Sequence, residues 1–246
     1  MDKQIQHSRL ETEMTGIRTG RWTANHIYLP QLKAALDQND FELVKLNLNG
    51  DDPETYIKLD QLNKPYYTVG MVQEYRINFN KIKTKPLYHP EVVFHRLNES
   101  NVSRLEQLVR DCFKLSPGSF FINPMLKTRQ AEYLHLLVAY ISGYRNDIRD
   151  DHFCHLLQYK GEYVGFIAHR YQGENGFADY AGVKNLTRQP GFYIDLVRFI
   201  QNYCIGKGIK WGHASAQLQN TVVHKVYQKE DMVPFRSVIN IHINNS

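Results

Sequence analysis

Asn220 and Tyr227 stand seven positions apart in the stretch NTVVHKVYQKED, directly after the strand-like IKWGHASA. Seven residues is close to two turns of an α-helix, so the amide and the phenol share one face. A phenol with a pKa of about 10 can donate a hydrogen bond or a proton to a leaving group at neutral pH. The plain alternative is that Asn220 caps the helix and Tyr227 belongs to its core side. Upstream, KNLTRQPGFY (184–193) leads into the amphipathic GFYIDLVRFIQNYCIGKG. Its backbone N–H groups therefore sit at a helix N-terminus, a ready site for an anion. Asp179 precedes this loop and has the parity of Phe177, Ala181 and Val183, which predicts one shared face and a candidate base. Its plain alternative is a solvated carboxylate at a strand end. His155 and His169 read as structural strand histidines, and Tyr171 and Tyr180 as wall residues.

The elements that must position these groups follow from periodicity. FCHLLQYKGEYVGFIAHRYQGENGFADYAGV (153–183) reads as three short strands joined by turns at Lys160-Gly161 and Gly173–Gly176, an antiparallel meander. A helix over 191–208, a strand over 209–216, the short helix from Asn220 and a last strand over 235–243 follow. The helical crossover predicts that strand 177–183 and strand 209–216 run parallel. Two parallel neighbours that splay at their C-terminal ends leave a slot for a long thin ligand. Ahead of the meander come a strand over 92–97, a helix over 98–113 with Asn98 as its candidate cap, and a second helix over 127–144. NKIKTKPLYHPE (80–91), with three lysines and two prolines, reads as a linker.

Before that linker, LPQLKAALDQND reads as a helix and FELVKLNL as an alternating strand. DDPETYIKLDQLN, with Pro53 in its acidic start, reads as a helix, and YYTVGMVQEYRINF as a closing strand or hairpin. Sliding the chain by 168 residues lays Phe41 on Ile209, Leu43 on Trp211, Asp52 on Asn220 and Tyr67 on Phe235. Helix, strand, helix and strand then superimpose in order. Duplication predicts two similar α/β domains sharing an extended sheet or facing each other across a cleft. Leu59 occupies the position of Tyr227 in the first half, so a working site belongs to the second.

Of 246 residues, 42% are apolar and 22% charged, with a net charge of +5. Between Ala181 and Lys229 seven Lys or Arg face one acid, Asp195. That reads either as a solvated basic face or as a place for a small phosphorylated ligand, and is too sparse for nucleic acid. No run approaches the roughly 20 apolar residues of a membrane span, and the first residues lack a leader's apolar core. Cys112, Cys154 and Cys204 are odd in number and scattered, which argues against a disulfide framework or a metal site and for a cytoplasmic protein.

The second half resembles the GNAT acyltransferases, which use acyl-coenzyme A. Their phosphate-binding signature is Arg or Gln, two residues, Gly, one residue, then Gly or Ala; here Arg188-Gln189-Pro190-Gly191-Phe192-Tyr193 keeps the first part and puts Tyr193 at the small position. Pro190 removes one N–H from the cradle. The family also places an Asn at a helix start, a Tyr seven residues on, and Gly-Phe four beyond; Asn220, Tyr227 and Asp231-Met232 match the spacing with the last pair changed. SFFINP (119–124) and the helix after it are similar to bacterial dTDP-fucosamine-type acetyltransferases, which carry an incomplete GNAT-like domain ahead of the catalytic one. Phe120-Phe121 stand where Arg-Phe is usual there.

The resemblance implies an α/β (α+β) fold with mixed, mostly antiparallel sheets: a partial GNAT-like domain over 1–88 and a catalytic GNAT domain over 89–246. It implies that Asn220 and Lys225 bind coenzyme A and that the backbone around Ala181, Gly182 and Val183 bonds the pantetheine amides. Arg188, Gly191, Phe192 and Tyr193 would hold the phosphates, and Tyr227 would protonate the departing thiolate. The usual Glu is replaced by Phe177, which leaves Asp179, acting through water, as the base. The implied reaction is N-acylation, with an acetyl or short hydroxyacyl group, of a dTDP-linked amino-deoxy sugar for surface polysaccharide such as lipopolysaccharide, O-antigen or capsule. The thymidine-like nucleotide would lie between the domains, with aromatic side chains stacking on its base. The expected protein is a cytoplasmic monomer or homodimer without metal, nucleic acid or membrane. Two alternatives stay open: a degenerate GNAT that binds without turnover, favoured by Tyr193, Pro190 and Asp231, and a tandem GNAT that uses aminoacyl-tRNA.

Overall fold

A computed structural model describes residues 5–24, 26–50, 54–113, 122–145, 151–184 and 191–245. Arg188, Gln189 and Pro190, Asp52 and Pro53, and Ser119 to Phe121 lie outside the described residues. The chain forms two compact units that interleave in sequence. The first comprises Met1–Gln73, Pro117–Tyr133 and Arg236–Ser246; the second comprises Glu74–Ser116 and Leu134–Phe235. A single cut near residue 88 therefore does not separate them.

The first unit holds β1 (Gln6–His7), α1 (Arg9–Thr15), β2 (Thr19–Ala24), α2 (Leu29–Gln38), β3 (Leu43–Asn49), α3 (Thr55–Asp60) and most of β4 (Tyr66–Asn78). The alternating apolar positions of β3 are buried, with Val44 and Leu46 at 0% and Leu48 at 2% exposure. They pack with Leu32 and Leu36 of α2 and Leu59 of α3. The segment expected as a strand or hairpin is one 13-residue strand, β4.

The second unit continues with β5 (Val93–Arg96), α4 (Val102–Phe113), α5 (Gln130–Ser142), β6 (His152–Tyr159), β7 (Glu162–Gln172) and β8 (Asn175–Val183). Then come α6 (Phe192–Gly206), β9 (Trp211–Gln217), α7 (Thr221–Lys229) and β10 (Val233–Asn244). Strands β6, β7 and β8 are the expected meander, paired antiparallel. Lys160 and Gly161, at φ 49° and 86°, make the first turn, in which both central residues need the left-handed region. The sheet order is β4-β9-β8-β7-β6-β5. Ala181 on β8 faces α6, whereas Gly182 faces Cys112 of α4, so α4 and α6 cover opposite sides.

The 168-residue offset takes β3 onto β9 residue for residue, and each is followed by a short helix and a long strand. The closing strands are exchanged. In the first unit β3 pairs antiparallel with β10, from Asn49↔Val238 to Leu43↔Asn244. In the second, β4 lies beside β9, with Phe79 N–H donating to the Lys210 carbonyl at 2.9 Å.

The stretch expected as a linker is tied to α6. Asp195, fully buried in the first turn of that helix, accepts from the backbone N–H of Tyr88 (2.6 Å) and of His89 (3.1 Å) and meets His89 Nδ1 at 2.6 Å. Buried Glu230 is held by Arg198 and Lys85. A buried carboxylate is tolerated only with such a full set of donors.

Candidate active site

Parallel pairing of β8 with β9 runs from Asn175↔Trp211 to Ala178↔Ala214 and stops there, while β8 continues to Val183 and β9 to Gln217. The expected divergence of the two strands is present. On the α6 side of this fork lies a cavity of about 30 Å³, lined by Ala178, Ala181, Ala214, Tyr193, Tyr227 and Met232 among others. That volume has room for one or two water molecules, not for a pantetheine arm.

Tyr227 is 4% exposed, and its hydroxyl lies 3.0 Å from that of Tyr193. Its ring meets Tyr75 edge-on at 5.1 Å, and Tyr75 Oη in turn lies 2.8 Å from His224 Nδ1. Burial, reinforced by the neighbouring phenols, pushes the Tyr227 pKa well above 10. Burial also raises Tyr193. Tyr227 is therefore a neutral donor at physiological pH. Full transfer of its proton to a thiolate of pKa about 8.5 would be uphill by about 1.4 kcal/mol per unit of mismatch, which favours hydrogen-bond donation.

Asn220 is exposed and caps α7, its side-chain oxygen accepting from Val223 N–H at 3.3 Å. This is the plainer of its two expected roles. Lys225 is exposed on the same helix. Gly191, at φ 116°, caps α6, and a Cβ there would meet the Tyr88 ring at 2.5 Å and His89 at 3.0 Å. Tyr88 and His89 thus pack directly on the glycine of the expected phosphate motif. Phe192 is buried against Leu196 and Val92. Ala181 and Val183 pack on the α6 side, and Gly182 sits under Cys112 and Phe166.

Asp179 departs from the expected alternation. The β7–β8 register shifts between Ala168↔Tyr180 and His169↔Ala178, leaving Asp179 as a bulged residue without an opposite partner. A bulge inverts the parity after it. Ala181 and Val183 consequently turn to α6, while Asp179 points to the other side, contrary to the shared face that simple alternation predicts. There Tyr144 Oη donates to its carboxylate at 2.9 Å and Arg170 pairs with it at 3.0 Å. Burial outweighs these partners and raises the Asp179 pKa, making it a better proton acceptor than an exposed aspartate. The carboxylate and the Tyr227 phenol approach the fork from opposite faces.

His155 and His169 form a buried pair, Nδ1 to Nε2 at 3.1 Å, stacked at 5.2 Å. Sequence reasoning missed Tyr193 as the partner of Tyr227, and Tyr144 and Arg170 as partners of Asp179. Tyr193 and Tyr144 lie more than thirty residues from their partners, for which spacing gives no signal, and Arg170 meets Asp179 across the β7–β8 hairpin through the register shift that alternation does not display. Among the described residues no group of three or more His, Cys, Asp or Glu could hold a metal ion, and no helix is long and apolar enough to cross a membrane.

No protein-family model matches the chain, and no curated protein does. Solved structures do. A conserved protein of unknown function from Staphylococcus epidermidis is similar over 100% of this chain and 93% of its own, at 14% identity and a TM-score of 0.66. A GCN5-related N-acetyltransferase from Kribbella flavida is similar over 91% and 81%, at 10% identity and 0.61. A tandem GNAT protein from the clavulanic acid pathway is similar over 94% and 76%, at 7% identity and 0.59. The architecture is thus that of the GNAT proteins, a mixed α/β fold. Its likeness to the tandem protein extends over nearly the whole chain.

Proposed function

We propose that the chain is an acyl-CoA-dependent N-acyltransferase. The observation that carries this reading is the fork between β8 and β9 with a phenol on one face and a carboxylate on the other. The acceptor amine attacks the thioester carbonyl carbon and the C–S bond breaks. The departing thiolate takes a hydrogen bond from Tyr227, and the amine's proton leaves through water to Asp179. An amine of pKa about 8 is already roughly one-tenth neutral at pH 7, so positioning contributes more than a strong base would. Asn220, Lys225, Arg188, Gly191, Phe192 and the backbone at Ala181, Gly182 and Val183 are the proposed coenzyme A contacts. Admission of the pantetheine arm requires the Tyr193 ring to swing out, since the cavity at Tyr227 holds about 30 Å³ as it stands. The acceptor reading, a dTDP-linked amino sugar for surface polysaccharide, rests on the residue resemblance around SFFINP, as do a domain pair of partial and complete GNAT type and a cytoplasmic monomer or homodimer. Incubation with a panel of acyl-CoAs and dTDP-amino sugars should release free thiol, and Tyr227→Phe should slow release at least tenfold. An unchanged rate in that variant would remove Tyr227 from the reaction.

The second reading, a GNAT-like module that binds without turnover, is favoured by the Tyr193–Tyr227 contact that closes the cavity. Absence of thiol release from every acyl-CoA and amine, with coenzyme A binding retained, would establish it in place of the first.

A further inference from the structure

On the α4 side of its sheet, the second unit carries two rows of rings, each joined by an arginine. Arg170, Phe177 and His213 are directly opposite one another on β7, β8 and β9. The Arg170 guanidinium lies 4.2 Å from the centre of the Phe177 ring, and Phe177 stacks on His213 at 5.0 Å with an 18° tilt. In the second row, the Arg76 guanidinium of β4 lies 4.5 Å from the ring of Phe235 on β10 and 5.7 Å from that of Trp211 on β9. Phe235 is 46% exposed and Arg76 is exposed, while Trp211, His213 and Phe177 are half-buried. Arg170 is neutralised by Asp179, whereas Arg76 has no ion pair among the described residues.

We propose that these six side chains form a stacking platform for a nucleotide. Its base would lie against the exposed Phe235 ring and the half-buried rings beside it, and its phosphates would meet Arg76. A flat ring adds to a π-cation row at the spacing the row already has, and aromatic residues on an open sheet face are a recurrent way to hold a base. A guanidinium free of carboxylates supplies the charge that a phosphate needs. A single strand of nucleic acid would require a longer track of cations than one unpaired arginine, so a mononucleotide, free or as the handle of a larger substrate, is the better match. As the handle of the acceptor, the nucleotide would sit beside Asp179; that assignment rests on the acyltransferase reading, and binding itself does not.

The chain has two tryptophans, Trp211 on the platform and Trp22 buried in the first unit, so emission quenching reports the platform selectively. Thymidine, uridine and adenosine diphosphates, titrated without acyl donor, should quench saturably. Trp211→Phe should abolish the signal, and Arg76→Ala and Phe235→Ala should each weaken binding at least tenfold with an unchanged circular dichroism spectrum. Inorganic pyrophosphate should not quench. Absence of quenching by every nucleotide, or an affinity in both variants equal to that of the parent, would overturn the platform. Tighter, steeply salt-dependent binding of a twelve-residue oligonucleotide would overturn it in favour of a nucleic-acid surface. A protein that binds nucleotide but releases no thiol loses the acyltransferase reading alone. One that acylates simple amines but binds no nucleotide loses the platform alone.

Discussion

The hydroxyls of Tyr193 and Tyr227 lie 3.0 Å apart, one from the first turn of α6 and the other from the last turns of α7. Tyr193 is the residue that the resemblance sets against a small one in the GNAT phosphate signature, and it is half-buried beside the 4%-exposed Tyr227. One side chain thus satisfies the buried phenol and, in the proposed reaction, would stand in the way of the pantetheine arm. Replacing Tyr193 by Ala should tighten coenzyme A binding at least fivefold, as read by calorimetry. Unaltered or weaker affinity would mean that Tyr193 is not the block.

Tyr193→Phe keeps the block and removes only the hydrogen bond. The Tyr227 hydroxyl then loses its phenol partner in an apolar cavity, at a cost of about 1–2 kcal/mol in urea denaturation. A gain in stability would show that the two hydroxyls repel rather than bond.

Gly191→Ala tests whether the start of α6 is fixed by its backbone. At φ 116°, with Tyr88 and His89 packed on it, an alanine is both strained and crowded. The loss should be about 1–3 kcal/mol, and a melting temperature within a degree of the parent would contradict it.

Asp195→Ala strips the acceptor from the backbone N–H groups of Tyr88 and His89 and from the His89 ring, and should cost roughly 2–4 kcal/mol. Asp195→Asn, which retains one carbonyl oxygen for the two backbone donors, should cost less. Equal losses would show that charge, not hydrogen bonding, ties the segment to α6.

Acid should destabilise the fold in two steps. Burial, then the Arg96 charge, pushes His155 down to about 4; burial, then Lys45, pushes His242 down to about 3. The unfolded chain binds these protons near 6.5, so stability that is full above pH 6.5 falls as pH drops from there toward 4 and 3. Burial alone would raise Glu11, but Lys45, Arg21 and Ser8 override it and bring it to about 2. Its contribution, on the order of 3 kcal/mol, is present above pH 4.5 and is lost between 4.5 and 2. Melting temperatures from pH 8 down to 3 should be flat above 7 and fall below 6.5, and Glu11→Gln should remove the lower step. A rise between pH 6.5 and 5 would contradict the buried neutral histidines.

Local pattern determined a good deal of this protein. Alternation marked β3 and β9, Lys160-Gly161 marked a hairpin and Asn220 marked a helix cap, because each of these rests on residues within a turn or two of one another, and the helical crossover made β8 and β9 parallel because such connections have a fixed hand. The first-unit elements β1, α1 and β2 were not read, since the N-terminal stretch has no comparable periodicity. Tertiary structure alone decided the exchange of β4 and β10, the bulge that turns Asp179 away from Ala181, the seating of Tyr193 on Tyr227 and the tying of Tyr88 and His89 to Asp195. The bulge depends on the register of the neighbouring strand β7 and the other three on partners dozens to more than a hundred residues away, where strand pairing and the need of buried polar groups for partners outweigh the alternation that a sequence displays.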